Sequence, residues 1–201
     1  MMRHTDLRRW WAGLVLIAAL LAPAACGQEA LQGTRYDPVI AAPEFEGEGS
    51  SGQPFRVSDL RGKVVLLFFG YTYCPDICPT TLGKMAQVYG ELGDQAQDVA
   101  VVLASLDPER DTADRLAAYV TAFHPDFLGV RIPADRLEEV KRGYGVFAEK
   151  RVLDAGESAA GYLIDHTGWV YVIDPKGNLR EVFAPDATPA QIAADAATLA
   201  N

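Results

Sequence analysis

The hydrophobic positions of this chain form short apolar runs separated by longer segments with helical spacing. Residues 63–70 and 99–106 are apolar almost throughout, which is typical of strands covered on both faces of a sheet. Between and after these strands, apolar residues recur on one helical face. Asp111 is a candidate N-cap for one of these segments. We therefore predict helices at residues 79–92, 112–123, 134–144 and 188–199.

A further group of apolar segments lies near the C-terminus and has the pattern of a hairpin. Residues 162–165 and 169–174 are short and apolar, and a turn at 175–178 leads into a returning strand at 179–183. A short edge strand is predicted at 55–60. Strands that alternate with helices and end in a hairpin predict an α/β sandwich.

The first 25 residues have the order of a secretory signal. Arg8 and Arg9 precede an apolar run at 10–21, and small residues lead up to Cys26. The segment resembles a bacterial lipoprotein signal, in which the cysteine is lipidated and becomes the new N-terminus. A cleaved secretory signal and an uncleaved membrane anchor are the alternatives. All three place the protein outside the cytoplasm, where disulfides persist.

Composition divides the rest of the chain into a tether and one compact domain. Residues 26–51 are rich in Gly, Pro, Ala and Glu with little apolar periodicity, so we predict a flexible tether there. Residues 52–201 are the predicted domain, which is long enough to bury a core without disulfides. The formal net charge of −9, without a basic stripe, argues against nucleic acid as a partner.

Two cysteines, Cys74 and Cys78, stand where a buried strand ends and a helix begins. The N-terminus of a helix stabilises a thiolate through its unpaired N–H groups and its dipole. Residues four apart lie on one face of a helical turn, so both sulfurs can reach one point and either close a disulfide or hold a soft metal. A purely structural disulfide is the weaker interpretation, because so short a loop removes little entropy from the unfolded chain. Two inert buried thiols are a further alternative.

A metal site needs more than two protein ligands, and two histidines follow the cysteines in the sequence. His124 lies at a predicted helix end, where a solvated histidine is the simpler interpretation. His166 lies between two apolar segments, and it is the candidate third ligand because the thiol pair needs one. A Cys₂His set suits Cu(I), accepts Cu(II) with water or a carboxylate added, and would also accept zinc.

Three sequence blocks together resemble the Sco/SenC family. The first is FGYTYCPDICPTTL at 69–82, the second is SLDPERDT at 105–112, and the third is DHT at 165–167 followed by VYVIDPKG at 170–177. The blocks stand in the order of the family, and the likeness extends from about Pro54 to the end of the chain. The long first block is specific, whereas a bare pair of cysteines with three residues between them is not.

The resemblance implies a thioredoxin-like fold, with a central mixed sheet, flanking helices and an extra β-hairpin, in a domain tethered to a membrane. It implies that Cys74, Cys78 and His166 bind copper, and that the protein delivers copper to, or reduces thiols at, the binuclear copper centre of cytochrome c oxidase. Asp107 matches an acidic position of the family and is a candidate weak or outer ligand. Expected partners are the copper-bearing oxidase subunit, other copper chaperones or thiol reductants, and a membrane through lipid on Cys26.

Three functions compete for the same thiols. A metallochaperone would hold Cu(I) on Cys74, Cys78 and His166 and pass it on by stepwise ligand exchange. A thiol-disulfide oxidoreductase would attack with Cys74 and resolve with Cys78, although the C-x-x-C spacing of thioredoxin is lacking and His166 is not required. A peroxidase would need a peroxide-activating environment, and no arginine is placed for it. The metallochaperone is the favoured interpretation.

Overall fold

The computed structural model describes residues 31–154 and 161–201. The strands within these residues are β1 (Thr34–Ala41), β2 (Glu46–Gly49), β3 (Pro54–Arg56), β4 (Val64–Gly70), β5 (Val99–Ser105), β6 (Leu128–Arg131), β7 (Ala148–Val152), β8 (Tyr162–His166), β9 (Val170–Ile173) and β10 (Asn178–Phe183). Eight of them form one sheet in the order β1-β10-β9-β4-β5-β6-β2-β3, and β7 pairs with β8 in a separate two-stranded sheet.

The described residues also form four α-helices, which lie between and after the strands along the chain. They are α1 (Ile77–Leu92), α2 (Ala113–Thr121), α3 (Ala134–Tyr144) and α4 (Pro189–Ala200), and 3₁₀ turns occupy Val57–Leu60 and Gly93–Asp98. All four helices were predicted from the apolar periodicity, with small differences at their ends. α1 and α4 pack against each other.

The centre of the sheet is the parallel pair β4 and β5, in which every residue is buried. Their register runs from Val64 opposite Val99 to Gly70 opposite Ser105. β9 pairs antiparallel with the other side of β4, so the sheet is mixed, as predicted. Strands buried on both faces read as continuous apolar runs, which is why their positions were visible in the sequence. The loop that leaves Gly70 therefore starts from a fully buried part of the sheet.

The cap of α2 corrects one expectation. The side chain of Thr112, not Asp111, accepts a hydrogen bond from the backbone N–H of Arg115. Asp111 is instead fully buried, and its carboxylate accepts hydrogen bonds from the hydroxyl groups of Ser105 and Thr72, each at 2.6 Å. A buried carboxylate needs such donors, and two hydroxyl groups satisfy it better than one exposed helix end would.

The start of the compact domain at residue 52 is also corrected. β1 pairs antiparallel with β10, and β2 pairs with β3 and β6, so residues predicted as tether belong to the main sheet. The side chains of β1 are mostly exposed, and apart from the partly buried Tyr36 the strand is held mainly by its backbone. A strand held by its backbone leaves no apolar periodicity in the sequence, which is why the segment had the composition of a tether. Residues 1–30, with Cys26 and the predicted signal, lie outside the described residues.

Two further strands escaped the sequence pattern. β6 has only four residues, and the side chains of β7 are largely exposed and include three charged ones. The predicted hairpin at 169–183 is β9 and β10 within the main sheet, whereas β7 and β8 form the additional two-stranded unit. The predicted edge strand at 55–60 is divided between β3 and a 3₁₀ turn. Within residues 31–154 and 161–201, none of the helices has the length and apolar character needed to cross a membrane.

Candidate metal centre

The structure brings Cys74, Cys78 and His166 together at one end of the central sheet. One ligand atom from each residue lies within 4.8 Å of the other two, and this is the group of potential metal ligands found among the described residues. The Sγ atom of Cys78 lies 3.4 Å from Nε2 of His166. Cys74 and Cys78 are both free thiols, and both are buried. The three residues that the sequence singled out therefore form one cluster.

The cysteines are placed by the junction of β4 and α1. Cys74 lies in the connecting turn, where its N–H donates to the carbonyl of Tyr71 at 3.2 Å. Cys78 lies in the first turn of α1 and is completely buried. A Cβ atom on Gly70 would lie 2.7 Å from Cys78 Sγ, so the sulfur packs directly on the backbone of the strand end. This close approach requires glycine at that position.

The two thiols have opposite acidities. The hydrogen bond from Cys78, together with the backbone N–H groups of Asp76 and Cys78, lowers the pKa of Cys74 to about 4 against the opposing effect of burial. Burial raises the pKa of the Cys78 thiol well above its ordinary value, and the neighbouring Cys74 adds to this effect. In the metal-free protein at neutral pH, the pair is therefore a Cys74 thiolate beside a Cys78 thiol.

His166 reaches the cysteines from the end of β8. Its Nδ1 atom lies 3.1 Å from the carbonyl oxygen of Thr167, which can only accept a hydrogen bond. Nδ1 therefore carries the proton in the neutral ring, and the lone pair of Nε2 faces Cys78. The rings of Phe68 and Tyr71 pack edge-on against the imidazole, with centroids 6.0 and 5.7 Å away. This packing and the Nδ1 contact fix the ring in the orientation of a metal ligand.

The family of the chain follows from comparison with known sequences. The SCO1/SenC family profile matches residues 34–201. The chain belongs to the SCO1/SenC family. It is 33% identical over 156 residues to the SCO2-like protein of Rickettsia felis, which covers 78% of this chain and 75% of that protein. It is 34% identical over 163 residues to the human mitochondrial protein SCO1 homolog, which covers 80% of this chain and 53% of that protein.

Solved structures of SCO1/SenC proteins share the same fold. The structure of ScoI from Bradyrhizobium japonicum with copper bound superposes with a TM-score of 0.71 at 33% identity, covering 80% of this chain and 99% of that one. This confirms the thioredoxin-like α/β fold. Two sulfurs and one imidazole are soft and borderline donors that suit copper, and the cluster of Cys74, Cys78 and His166 has the composition of a copper site.

Asp107 lies outside the cluster of Cys74, Cys78 and His166. It is buried, forms an ion pair with Arg110 at 2.5 Å, and accepts a hydrogen bond from the hydroxyl of Tyr162 at 2.7 Å. The guanidinium of Arg110 in turn stacks on the rings of Tyr162 and Tyr73. The contacts of Asp107 are thus with these neighbours, and the structure places it among them rather than among the metal ligands.

His124 is separate from the site, as the sequence indicated. Its ring packs against Tyr89 and Phe127, and its Nδ1 atom lies 3.9 Å from the carboxylate of Asp126. It is not a member of the metal-ligand group. The protein therefore has one histidine that reaches the thiols within the described residues and one that does not, which provides an internal control for experiments.

Sequence reasoning missed two residues that support the site. Asp111 binds the backbone N–H and hydroxyl of Thr72, two residues before Cys74, and so holds the turn that carries the thiolate. Tyr71 contacts both the histidine and the cysteine segments. Both residues lie inside the matched sequence blocks, which was the only available signal. Their partners are distant in sequence, so their roles required the tertiary structure.

Proposed function

We propose that this protein is a copper-binding metallochaperone that holds Cu(I) on Cys74, Cys78 and His166. The observation that carries the proposal is the convergence of two free thiols and a histidine Nε2 within 4.8 Å. Three donors match the low coordination numbers that suit Cu(I). SCO1/SenC membership and the copper-bound ScoI relative support the choice of copper over zinc.

The acidities of the cluster suggest how copper enters and leaves. Cys74 is already a thiolate and is the first donor that an incoming ion meets, whereas Cys78 must release its proton before it binds. Departing copper leaves in the reverse order, so Cys78 recovers its proton as the metal moves to the acceptor. Each step exchanges one ligand, and no redox change of copper is required.

We further propose that the acceptor is the binuclear copper centre of cytochrome c oxidase. This part of the proposal is supported by the family to which the chain belongs. The copper-bearing subunit of the oxidase is then the direct partner. Another copper chaperone or a thiol reductant would act before this step, because the thiols must be reduced and empty before they can be loaded.

The binding step can be tested on protein purified reduced and without air. One Cu(I) per chain is expected, and Cys78→Ser should remove stoichiometric binding. The third cysteine of the chain gives a matched control, because Cys26→Ser should still bind one Cu(I). Transfer is tested by mixing the loaded protein with the reduced, copper-free copper domain of the oxidase subunit. Copper bound by Cys78→Ser in full stoichiometry would overturn the site, and failure of transfer from a loaded protein would overturn the chaperone role.

A second candidate function is thiol-disulfide exchange on the oxidase cysteines. What favours it is the opposite shift of the two thiols, since the pKa of Cys74 is lowered while burial raises the pKa of Cys78. Cys74 would attack a substrate disulfide and form a mixed disulfide, and Cys78 would then displace the substrate as a thiol. The substrate gains two electrons, and the pair is left as a disulfide that a thiol reductant must reopen. Reduction of a disulfide-linked oxidase copper domain by the copper-free protein would support this function.

We also propose that the protein is exported and attached to the membrane through lipid on Cys26. The support is the order of charged, apolar and small residues before this cysteine. A lipidated protein partitions into the detergent phase, and Cys26→Ser should move it to the aqueous phase. Detergent-phase partition that persists in Cys26→Ser would instead indicate an uncleaved anchor.

A further inference from the structure

The proposed ligands of copper come from two separate sheets. Cys74 and Cys78 follow β4, the central strand of the main sheet, whereas His166 ends β8, which among the described residues pairs only with β7. Backbone pairing between sheets does not fix the distance from the histidine to the thiols. Besides the short link of residues 167–169 to β9, side-chain contacts hold β8 against the core.

Tyr71 makes such a contact. It follows Gly70 directly and is 1% exposed. Its hydroxyl oxygen accepts a hydrogen bond from the backbone N–H of Ile164 at 2.9 Å, two residues before His166. The bond joins the end of β4 to the middle of β8 across 93 residues of chain. It is buried, where loss of a partner leaves the N–H unsatisfied.

The same tyrosine also touches the ligands. Its ring packs edge-on against the imidazole of His166, with centroids 5.7 Å apart and planes at 76°. Its backbone carbonyl accepts the N–H of Cys74 at 3.2 Å, and its backbone also hydrogen-bonds to Cys78. One residue thus contacts all three members of the cluster through different atoms.

Further contacts hold β8 near its ends, besides the hydrogen bond between Tyr162 and Asp107 described above. Arg110 donates to the carbonyl of Tyr162 at 3.0 Å, and the N–H of Thr167 donates to the carbonyl of Phe147 at 3.2 Å. Phe147 precedes β7, so the second contact lies within the small two-stranded unit and its approach. The first acts four residues away from His166. The hydroxyl of Tyr71 is the contact that connects the residue next to the cysteine turn with the segment that carries the histidine.

We propose that Tyr71 is a positioning residue that sets His166 at the correct distance from Cys74 and Cys78. Its hydroxyl secures the backbone of β8, and its ring limits the rotation of the imidazole. The residue does not bind the metal, and it acts on copper affinity through His166. This inference rests on the proposed copper site, and its test separates the two.

The test is a double-mutant cycle with Cu(I) affinity as the readout, measured by competition with a chromogenic Cu(I) chelator. Tyr71→Phe removes the hydroxyl and keeps the ring. We expect it to lower Cu(I) affinity about tenfold, the lower end of the effect of outer residues at metal sites. In a His166→Ala background, the same substitution should have no further effect, because the residue through which it acts is gone. A general loss of stability would lower affinity in both backgrounds.

A metal-free measurement accompanies the cycle. Hydrogen exchange of the Ile164 amide should accelerate in Tyr71→Phe, and the imidazole signals of His166 should shift in the nuclear magnetic resonance spectrum. Tyr89→Phe is the matched control, because Tyr89 is also buried and its hydroxyl donates to the backbone carbonyl of Val99 at 2.9 Å. This control should leave copper affinity and both His166 and Ile164 signals unchanged.

The outcomes are distinct. Wild-type protein that binds no Cu(I) overturns the proposed site and this inference with it. If Tyr71→Phe binds Cu(I) as tightly as the wild type, the inference alone is overturned. An equal loss of affinity in both backgrounds of the cycle has the same consequence. The positioning role is established if Tyr71→Phe lowers Cu(I) affinity only in protein that keeps His166 and if Tyr89→Phe leaves the affinity unchanged.

Discussion

The Sγ atom of Cys78 lies 3.4 Å from Nε2 of His166, although 88 positions separate the two residues in the sequence. The thiol comes from the first turn of α1 and the imidazole from the end of β8. Because Nδ1 of His166 is engaged by a carbonyl, the nitrogen that faces Cys78 carries a free lone pair. This contact distinguishes the site from a simple dithiol.

His166→Ala should separate copper binding from thiol chemistry. Removing one of three donors is expected to weaken Cu(I) binding by more than about 100-fold, since even outer residues at metal sites change affinity 10- to 100-fold. The Cys74–Cys78 disulfide should still form, because the sulfurs do not need the imidazole to approach each other. Chelator competition and thiol counting after mild oxidation measure the two properties.

His124→Ala is the control for that experiment. His124 packs against Tyr89 and Phe127 and is not part of the metal-ligand group. Its removal should leave Cu(I) affinity within a factor of about two. Unchanged affinity in His166→Ala would show that the three-donor site is wrong.

The acidity of Cys74 predicts how fast it is alkylated in reduced, metal-free protein. Its pKa of about 4 keeps it as a thiolate throughout the neutral range, so its reaction rate with iodoacetamide should be almost constant from pH 6 to pH 8. An ordinary thiol would react about tenfold faster for each pH unit in this range. Mass spectrometry at limiting reagent should find the label on Cys74 rather than on Cys78.

Cys78→Ala tests the cause of that acidity. The main stabiliser of the Cys74 thiolate is the hydrogen bond from Cys78, so its loss should raise the pKa of Cys74 toward the ordinary value. The alkylation rate of Cys74 should then increase with pH between 6 and 8. A rate that stays flat in this variant would assign the acidity to the helix N-terminus instead.

Gly70→Ala should damage both stability and copper binding. The new Cβ would lie 2.7 Å from Cys78 Sγ and from Phe68 Cε1, inside a packed core. Such overpacking costs about 1–3 kcal/mol of unfolding free energy and displaces the sulfur from the cluster. Denaturant unfolding and Cu(I) competition would measure the two effects.

Gly83→Ala gives the opposite expectation. Gly83 lies in α1, and no atom is within 4 Å of the Cβ that alanine would add. Alanine in a helix interior is favoured over glycine by about 0.5–1 kcal/mol, so this variant should be more stable and should bind copper normally. Equal stability changes in the two variants would contradict the steric interpretation of Gly70.

A buried pair of carboxylates predicts a pH-dependent stability. Burial raises the pKa of Glu181 to about 8 from 4.5, and the nearby Asp195 adds to this effect. Between these pH values the unfolded chain releases the proton and the folded protein keeps it, so the contribution of Glu181 to stability falls as pH increases. Glu181→Gln keeps the shape without the acid and should exceed wild type in unfolding free energy by about 1 kcal/mol or more at pH 8.

The comparison at low pH provides the check. At pH 4.5 the advantage of Glu181→Gln should be much smaller, because Glu181 is then protonated in the folded state and partly so in the unfolded state. Glu91→Gln, at an exposed position of α1, should show no such pH-dependent difference. An advantage for Glu181→Gln that is equal at both pH values would contradict the raised pKa.

The sequence by itself determined the buried frame and the place of the thiols. β4 and β5 are covered on both faces of the sheet, so nearly every residue in them is apolar and they appear in the sequence as continuous apolar runs. The helices were visible because the face of each helix that packs against the core carries a stripe of apolar residues. Cys74 and Cys78 were tied to the end of β4 by chain connectivity alone, and their spacing predicted that their sulfurs meet, although Cys74 lies in the turn before α1.

Only the tertiary structure decided how His166 is held beside the thiols. His166 belongs to a two-stranded sheet whose position depends on contacts such as Tyr71 with Ile164, and such contacts between distant residues have no local signature. The same is true of β1, which joins the main sheet through its backbone while its side chains stay mostly exposed. Local burial patterns can therefore be predicted from a sequence, whereas hydrogen bonds between separate sheets are found only in the folded structure.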